Sequence, residues 1–418
     1  MPKAGLEPAR PFRQGILSPR RLPFRHFGLR GIILQGGRFV KTFWHMAGGF
    51  ELKNRAACAM ISSMEIQNTI LRIAPLDEAA MAAAQARLDA LVKPPGSLGN
   101  LERYAVRLAG IYGQVPQATG RRAILVFSAD NGVCAEGIGS APQSVTAAQT
   151  VNFVRGVTGV GALAGATNTE VWVADVGMLA PVRYPGVRNL RVRAGTGNIR
   201  VEDAMTRQEA KTAVLAGMRL AREAAAAGVR AIGVGEMGIG NTTTSTAVLS
   251  ALTGEDSDRL TGMGGGLGER LQAVKRAVIR DALARAQADA SDVMGVLSKL
   301  GGLDICAMAG AYLGAASARI PAVIDGYIGC VAALAAVRLA PEAKAYLFAS
   351  HVSEEPGAAL ALEALGLEAP LRLRLRLGEG SGCPLLFSLL DAACAVYHKM
   401  ATFEEARIDP GYLEKLKR

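Results

Sequence analysis

Short, largely apolar runs alternate with long Ala-rich helical stretches, and this alternation limits the fold more than any other feature of the chain. The runs are 122–128 (RAILVFS), 170–176 (EVWVADV), 189–192, 229–234 (VRAIGV), 321–324 (PAVI) and 345–349 (AYLFA). A strand that is apolar at nearly every position is buried on both faces, as in a parallel sheet covered by helices. Between the runs, 145–164, 207–227, 243–252, 269–287, 305–316 and 329–339 read as helices. Strand–helix alternation of this kind predicts an α/β fold: a parallel, Rossmann-like sheet with helices on both faces.

The two ends read differently. From Asp77, the residues Ala80, Ala83, Ala84, Leu88, Leu91 and Val92 recur at helical spacing. A second helix is expected over 101–112, and further helices over 383–400 and from Phe403 onward. We expect a large α/β part over about 115–382 and a small helical subdomain joining 65–114 with 383–418.

Charge is unevenly placed. Of the formal net charge of +11, residues 1–63 carry +9 and residues 64–418 only +2. A nucleic-acid surface would have to lie on the folded part, which is nearly neutral, so no nucleic-acid partner is expected. The basic segment 1–63 lacks the apolar run of a secretory signal. It reads as a leader outside the domain, poorly ordered to about residue 60, with Met46, Met60 and Met64 as candidate starts. Mean hydropathy is +0.22, yet no uncharged apolar stretch of about 18 residues occurs, which argues against a membrane span. The six cysteines form no CxxC pair and read as small thiols of a reducing, cytoplasmic compartment. With only His351 and His398 beyond the leader, no metal site is expected.

Ligands of open parallel sheets sit beyond the carboxyl ends of the strands, and those exits are rich in acids and glycines. They read Asp130-Asn131-Gly132, Asp175 with Gly177, Gly235-Glu236-Met237-Gly238-Ile239-Gly240-Asn241-Thr242, Asp325-Gly326 and Ser350-His351. Residues 233–238 match G-x-G-x-x-G, but no acidic strand end follows at the dinucleotide spacing, and Glu236 would repel a pyrophosphate. Gly238, Gly240 and residues 241–244 suit a single phosphate at a helix N-terminus instead. The Gly-rich run 261–268 is either a flexible connector or a second pocket wall that brings Lys275 to the phosphate. In Leu377-Gly378-Glu379-Gly380-Ser381-Gly382, Glu379 is either a helix N-terminal charge or a buried general base. A nicotinamide-dependent dehydrogenase and a non-catalytic nucleotide-binding protein are two readings that these loops leave open.

Taken in order, Lys93-Pro94-Pro95-Gly96-Ser97-Leu98-Gly99, Asp130-Asn131-Gly132-Val133, 142–146, 235–243, 301–305, Asp325-Gly326, Ser350-His351 and 376–382 resemble the nicotinate-nucleotide–dimethylbenzimidazole phosphoribosyltransferase family over about residues 64–418. The resemblance implies transfer of 5-phosphoribose from nicotinate mononucleotide to 5,6-dimethylbenzimidazole, with inversion at C1′, by a homodimer that uses no metal or cofactor. It implies Glu379 as catalytic base and Glu236 as its assistant. It also places Lys275 near the phosphate, Gln149 beside the base pocket, and Met64 at the natural start. Asp130, Gly235, Gly238, Gly240, Asn241, Thr242, Ser350, His351 and Gly378 complete the expected substrate contacts. The chain departs from the family pattern at Asn131, where His is commoner, at Asp304, where Glu is commoner, and in residues 263–270.

Overall fold

A computed structural model describes residues 51–264, 266, 268–411 and 413; the described residues from Asn54 onward form one compact unit. The elements are α1 (Glu51–Ile70), α2 (Glu78–Ala90), α3 (Asn100–Tyr112), β1 (Arg122–Ala129), α4 (Ser144–Arg155), α5 (Gly159–Ala166), β2 (Glu170–Gly177), β3 (Val187–Asn189), α6 (Arg207–Ala226) and β4 (Ala231–Met237). There follow α7 (Asn241–Thr253), α8 (Ser257–Leu260), α9 (Glu269–Ala286), α10 (Val293–Leu300), α11 (Leu303–Ser317), β5 (Ala322–Ile324), α12 (Tyr327–Leu339), β6 (Leu347–Ala349), α13 (Gly357–Leu365), α14 (Cys383–Lys399) and α15 (Phe403–Ala406).

The strands pair in the order β3-β2-β1-β4-β5-β6, every neighbour parallel. The central strands β1 and β4 are almost wholly buried, as continuous apolar runs require. The direction in which successive strands are added reverses between β1 and β4. Right-handed crossovers therefore place α4 and α5 on one face and α11 and α12 on the other. Accordingly α4 and α5 pack on β2, while α11 packs on β1, β2 and β4. Helix α14 joins the first layer, touching α5, β4 and β5, and it also packs on α2 and α3.

The small residues have a packing role. A side chain at Gly217 would strike the Ala307 carbonyl, and one at Gly310 the Val214 carbonyl. So α6 and α11 meet backbone to backbone, which at these two positions only glycine permits. Helix starts follow the local chemistry: Thr206 and Glu209 form a reciprocal capping box on α6, and Asp77 accepts from the Ala80 amide at 2.9 Å on α2.

Three expectations need correction. The helix expected over 145–164 is two helices, because Gly156 adopts φ +71° and Thr158 starts α5 by accepting from the Gly161 amide. The edge strand β3 lies at Val187–Asn189, N-terminal to the expected 189–192, and α10 and α13 were not anticipated. Helix α1 begins inside the expected leader, and Ser62 and Ser63 accept hydrogen bonds from Gln208 (3.0 Å) and Lys211 (2.8 Å) of α6. The rest of the expected leader, residues 1–50, lies outside the described residues. No described helix is long and apolar enough to cross a membrane.

Candidate active site

In this strand order the topological switch point lies between β1 and β4, where a ligand crevice opens beyond the strand ends. Register sets those ends level, with Phe127 opposite Glu236 and Ser128 opposite Met237. A cavity of about 320 Å³ opens there, within the range of small-ligand sites. Glu236, Gly238, Gly240, Asn241 and Thr242 line it from the β4–α7 turn, Gln149 from α4, and Gly378 and Glu379 from the loop before α14. Val145, Met237, Met308 and Ile328 give it an apolar wall suited to a flat ring.

Glu236 and Glu379 are brought together. The Glu379 amide donates to Glu236 Oε1 at 3.4 Å. Gly378 makes that approach possible: it holds φ +80°, and a Cβ there would strike Glu236 Oε1. Gly235 acts in the same way from the strand side, because a Cβ on it would overlap the Glu379 carbonyl. It is a packing position under the loop and does not line the cavity. All but the last residue of the dinucleotide-like match falls inside β4. Gly233 and Gly235 are strand residues packed under α14 and its preceding loop, not a phosphate turn.

The two carboxyls have distinct environments. Glu236 is buried and accepts a hydrogen bond from Asn241 Nδ2. Burial first, and then the charges of Asp304 and Asp325, push its pKa up to about 8. Glu379 Oε1 accepts from Gln149 Nε2 at 2.7 Å, while Oε2 is buried with no ordinary hydrogen bond. Burial raises the Glu379 pKa, and the Gln149 bond together with the first amides of α5 moderates the rise. Glu379 itself adopts φ +65°. A non-glycine residue there is uncommon, and such strain gathers at functional sites.

Around this pair the remaining candidates divide. Thr242 and Gly264 line the cavity, and Lys275 Nζ stands behind them, donating to Thr242 Oγ1 at 2.8 Å and to the Gly262 carbonyl at 3.3 Å. Burial lowers the Lys275 pKa to about 8, with the nearby Glu355 acting in the opposite sense. His351 lines the cavity and is held neutral by burial, its pKa lowered to about 4. Ser350 is not a wall residue: its hydroxyl bonds the Asp325 carbonyl (3.1 Å) and His351 Nδ1 (2.9 Å). Asp130 also turns away, accepting from the Leu179 amide at 2.8 Å and so tying the exits of β1 and β2 together.

Sequence reasoning noted Asp325 and Asp304 without giving them a role. Asp325 accepts from the amides of Gly380 (3.0 Å) and Gly382 (2.7 Å). Asp304, at the start of α11, is fully buried, and its charge acts on Glu236. Their signals in the sequence are a strand exit for Asp325 and a motif of the resemblance around each, with Asp304 a departure from the family pattern.

A phosphoribosyltransferase family model matches residues 73–408. A nicotinate-nucleotide–dimethylbenzimidazole phosphoribosyltransferase of Clostridium perfringens is 46% identical over 351 residues, which is 84% of this chain and 97% of the relative. One from Yersinia enterocolitica is 45% identical over 350 residues, 83% and 99% of the two chains. The chain belongs to this phosphoribosyltransferase family. A crystal structure of CobT from Thermus thermophilus superposes with a TM-score of 0.76 at 42% identity, covering 80% of this chain and all of that one. The α/β fold expected from the strand–helix alternation is thus the phosphoribosyltransferase fold, and the chain is a transferase of that family.

Proposed function

We propose that the enzyme transfers 5-phosphoribose from nicotinate mononucleotide to 5,6-dimethylbenzimidazole, giving α-ribazole 5′-phosphate and nicotinate with inversion at C1′. One ring nitrogen of the benzimidazole attacks C1′ from the face opposite nicotinate. The C1′–nicotinate bond breaks, its electrons stay with the pyridine nitrogen, and the proton on the other benzimidazole nitrogen passes to Glu379. Nicotinate leaves as a pyridine that no longer carries the ring cation, so no strong acid is needed at the leaving group.

The observation that carries this reading is the Glu379 carboxyl at the cavity wall. It is raised in pKa by burial and oriented by Gln149 at Oε1 and by the first amides of α5. A positioned base of this kind contributes about 10²–10⁴-fold, and holding both substrates in line adds more. The turn before α7 and Lys275 behind Thr242 suit the substrate phosphate. Glu236, largely protonated near neutrality, supports the Glu379 loop without adding a second full charge beside the base. We propose a homodimer as the active form, as the resemblance implies, in the reducing cytoplasm that the cysteine usage suggests.

The test is a mixture of purified protein, nicotinate mononucleotide and 5,6-dimethylbenzimidazole, followed by mass and by proton NMR of the anomeric centre. Nicotinate release coupled to an α-anomeric ribotide supports the assignment. A β product, or nicotinate release without a ribotide, contradicts it.

A further inference from the structure

The structure assigns Asp325 as a positioning residue for the transfer: its carboxylate clamps the 378–382 loop and thereby sets where the Glu379 side chain enters the cavity. This inference rests on reading Glu379 as the base.

The geometry is specific. Asp325 directly follows β5, a rigid buried strand, and is itself 3% exposed. Its two oxygens accept separately, Oδ2 from the Gly380 amide at 3.0 Å and Oδ1 from the Gly382 amide at 2.7 Å. These amides flank Ser381 and begin one residue after Glu379. On the other side of the loop, Gly235 lies under the Glu379 carbonyl, and Gly380 packs on Ile124, where a Cβ would come within 2.7 Å. The loop is therefore pressed onto β1 and β4 from below and tied to the end of β5 by the carboxylate. Glu379 is held in a left-handed conformation that an L-residue seldom adopts unaided. A carboxylate accepting two backbone amides can overdetermine such a conformation.

A capping role for α14 alone would require the same two bonds, because Gly382 is the residue before that helix. The two roles differ in their electrostatic consequence. The titratable groups that feel Asp325 are Glu236 of β4, Glu379 of the loop, His351 after β6, Tyr312 of α11, Cys330 of α12 and Cys383 of α14. Burial holds the tyrosine and both thiols neutral, and His351 is neutral as well. Asp304, on α11, also acts on Glu236. Removing the Asp325 charge should therefore be felt by the two glutamates. Their ionisation becomes easier, and the acid limb of kcat moves to lower pH.

The experiment compares wild type, Asp325→Asn, Asp325→Glu, Glu379→Gln and the Asp325→Asn/Glu379→Gln double variant. It measures kcat, KM for nicotinate mononucleotide, the pH profile and Tm. We expect Asp325→Asn to lower kcat about 10²-fold, the cost of a small misplacement of a catalytic group. KM should change little, and the acid limb should shift downward. Asp325→Glu should recover part of kcat and return the acid limb. In the Glu379→Gln background the Asp325→Asn change should cost little more, because both act through one side chain.

Near-wild-type kcat in Asp325→Asn overturns the inference. So does a loss that tracks Tm with the pH profile unmoved, or a full additional loss in the double variant. If the Asn variant does not fold, Asp325→Glu decides alone. Reduced kcat at wild-type KM and Tm supports the clamp, and unchanged kcat refutes it. A fully active Glu379→Gln removes the reading of the base itself. An inactive Glu379→Gln beside an unaffected Asp325→Asn removes only this inference.

Discussion

Gln149 Nε2 donates to Glu379 Oε1 at 2.7 Å, joining α4 to a loop 230 residues later in the chain. The bond fixes Oε1 of the proposed base while Oε2 lies buried against the start of α5, so the carboxyl is held from two sides at the cavity wall. The bond also works against burial by favouring the ionised carboxylate.

Replacing Gln149 by Ala removes a hydrogen bond to a charged group, worth ~1.5–3 kcal/mol. We expect kcat/KM to fall about 10–100-fold, at tenfold per ~1.4 kcal/mol. With the donor gone the Glu379 pKa rises further, so the acid limb of the pH–rate profile moves to higher pH. An unmoved limb would show that Gln149 does not act on the base.

Glu236 links stability to pH. Its folded pKa of about 8 stands above its ordinary value of 4.5. Its contribution to stability is thus complete below pH 4.5 and is lost as pH rises through about 8. Asp304 and Asp325 act in the same sense, from 3.8 through about 6. Lys275, lowered to about 8, contributes a constant term below that pH. His351, lowered from 6.5 to about 4, opposes the loss up to about pH 6.5 without outweighing the three carboxyls. The Tm of the free enzyme should therefore decline between pH 4.5 and 8, and Glu236→Gln should flatten the decline. Thermal melts across that range check this; parallel curves for the two proteins would contradict it.

Lys275 should govern the substrate phosphate. Because burial lowers its pKa to about 8, KM for nicotinate mononucleotide should climb above pH 8 as the ammonium is lost. Lys275→Met should raise KM about 10–100-fold near neutrality, the value of a charge-assisted hydrogen bond, and should abolish the inflection. Steady-state kinetics from pH 6 to 9.5 decide the matter.

Gly378→Ala tests the loop without touching a reacting group. The added Cβ meets Glu236 Oε1, and φ +80° costs an L-residue about 1–2 kcal/mol. We expect lower Tm together with a larger loss of kcat than of substrate affinity. Gly165→Ala on α5, where an added methyl meets nothing within 4 Å, should leave both unchanged.

Much of this was legible in the sequence because its causes are local. The runs at 122–128, 170–176 and 229–234 are apolar on both faces and fall on β1, β2 and β4. The three-residue β3 at the sheet edge has no such run, so its position shifted. The break between α4 and α5 was signalled by Gly156 and Thr158, but the apolar pattern continued across it. Glu236 and Glu379 stood out as carboxylates among glycines. What those glycines accommodate did not: Gly235 admits the Glu379 carbonyl and Gly378 admits the Glu236 carboxylate, contacts made across more than 140 residues of chain. Asp130 and Ser350 looked like ligand contacts, yet their partners are the Leu179 amide and the Asp325 carbonyl. Such pairings depend on which strand ends become neighbours, and the 3-2-1-4-5-6 order determines that only after folding.

The central claim is that Glu379 takes the benzimidazole proton as the C1′ bond forms. The most direct measurement is the single-turnover rate of ribotide formation by Glu379→Gln, with nicotinate mononucleotide and 5,6-dimethylbenzimidazole both saturating. A rate about 10²–10⁴-fold below wild type, with Tm and nicotinate mononucleotide affinity retained and no acid limb left in the pH profile, is the expected result. A rate near wild type, or a loss that still titrates as the wild type does, would contradict it.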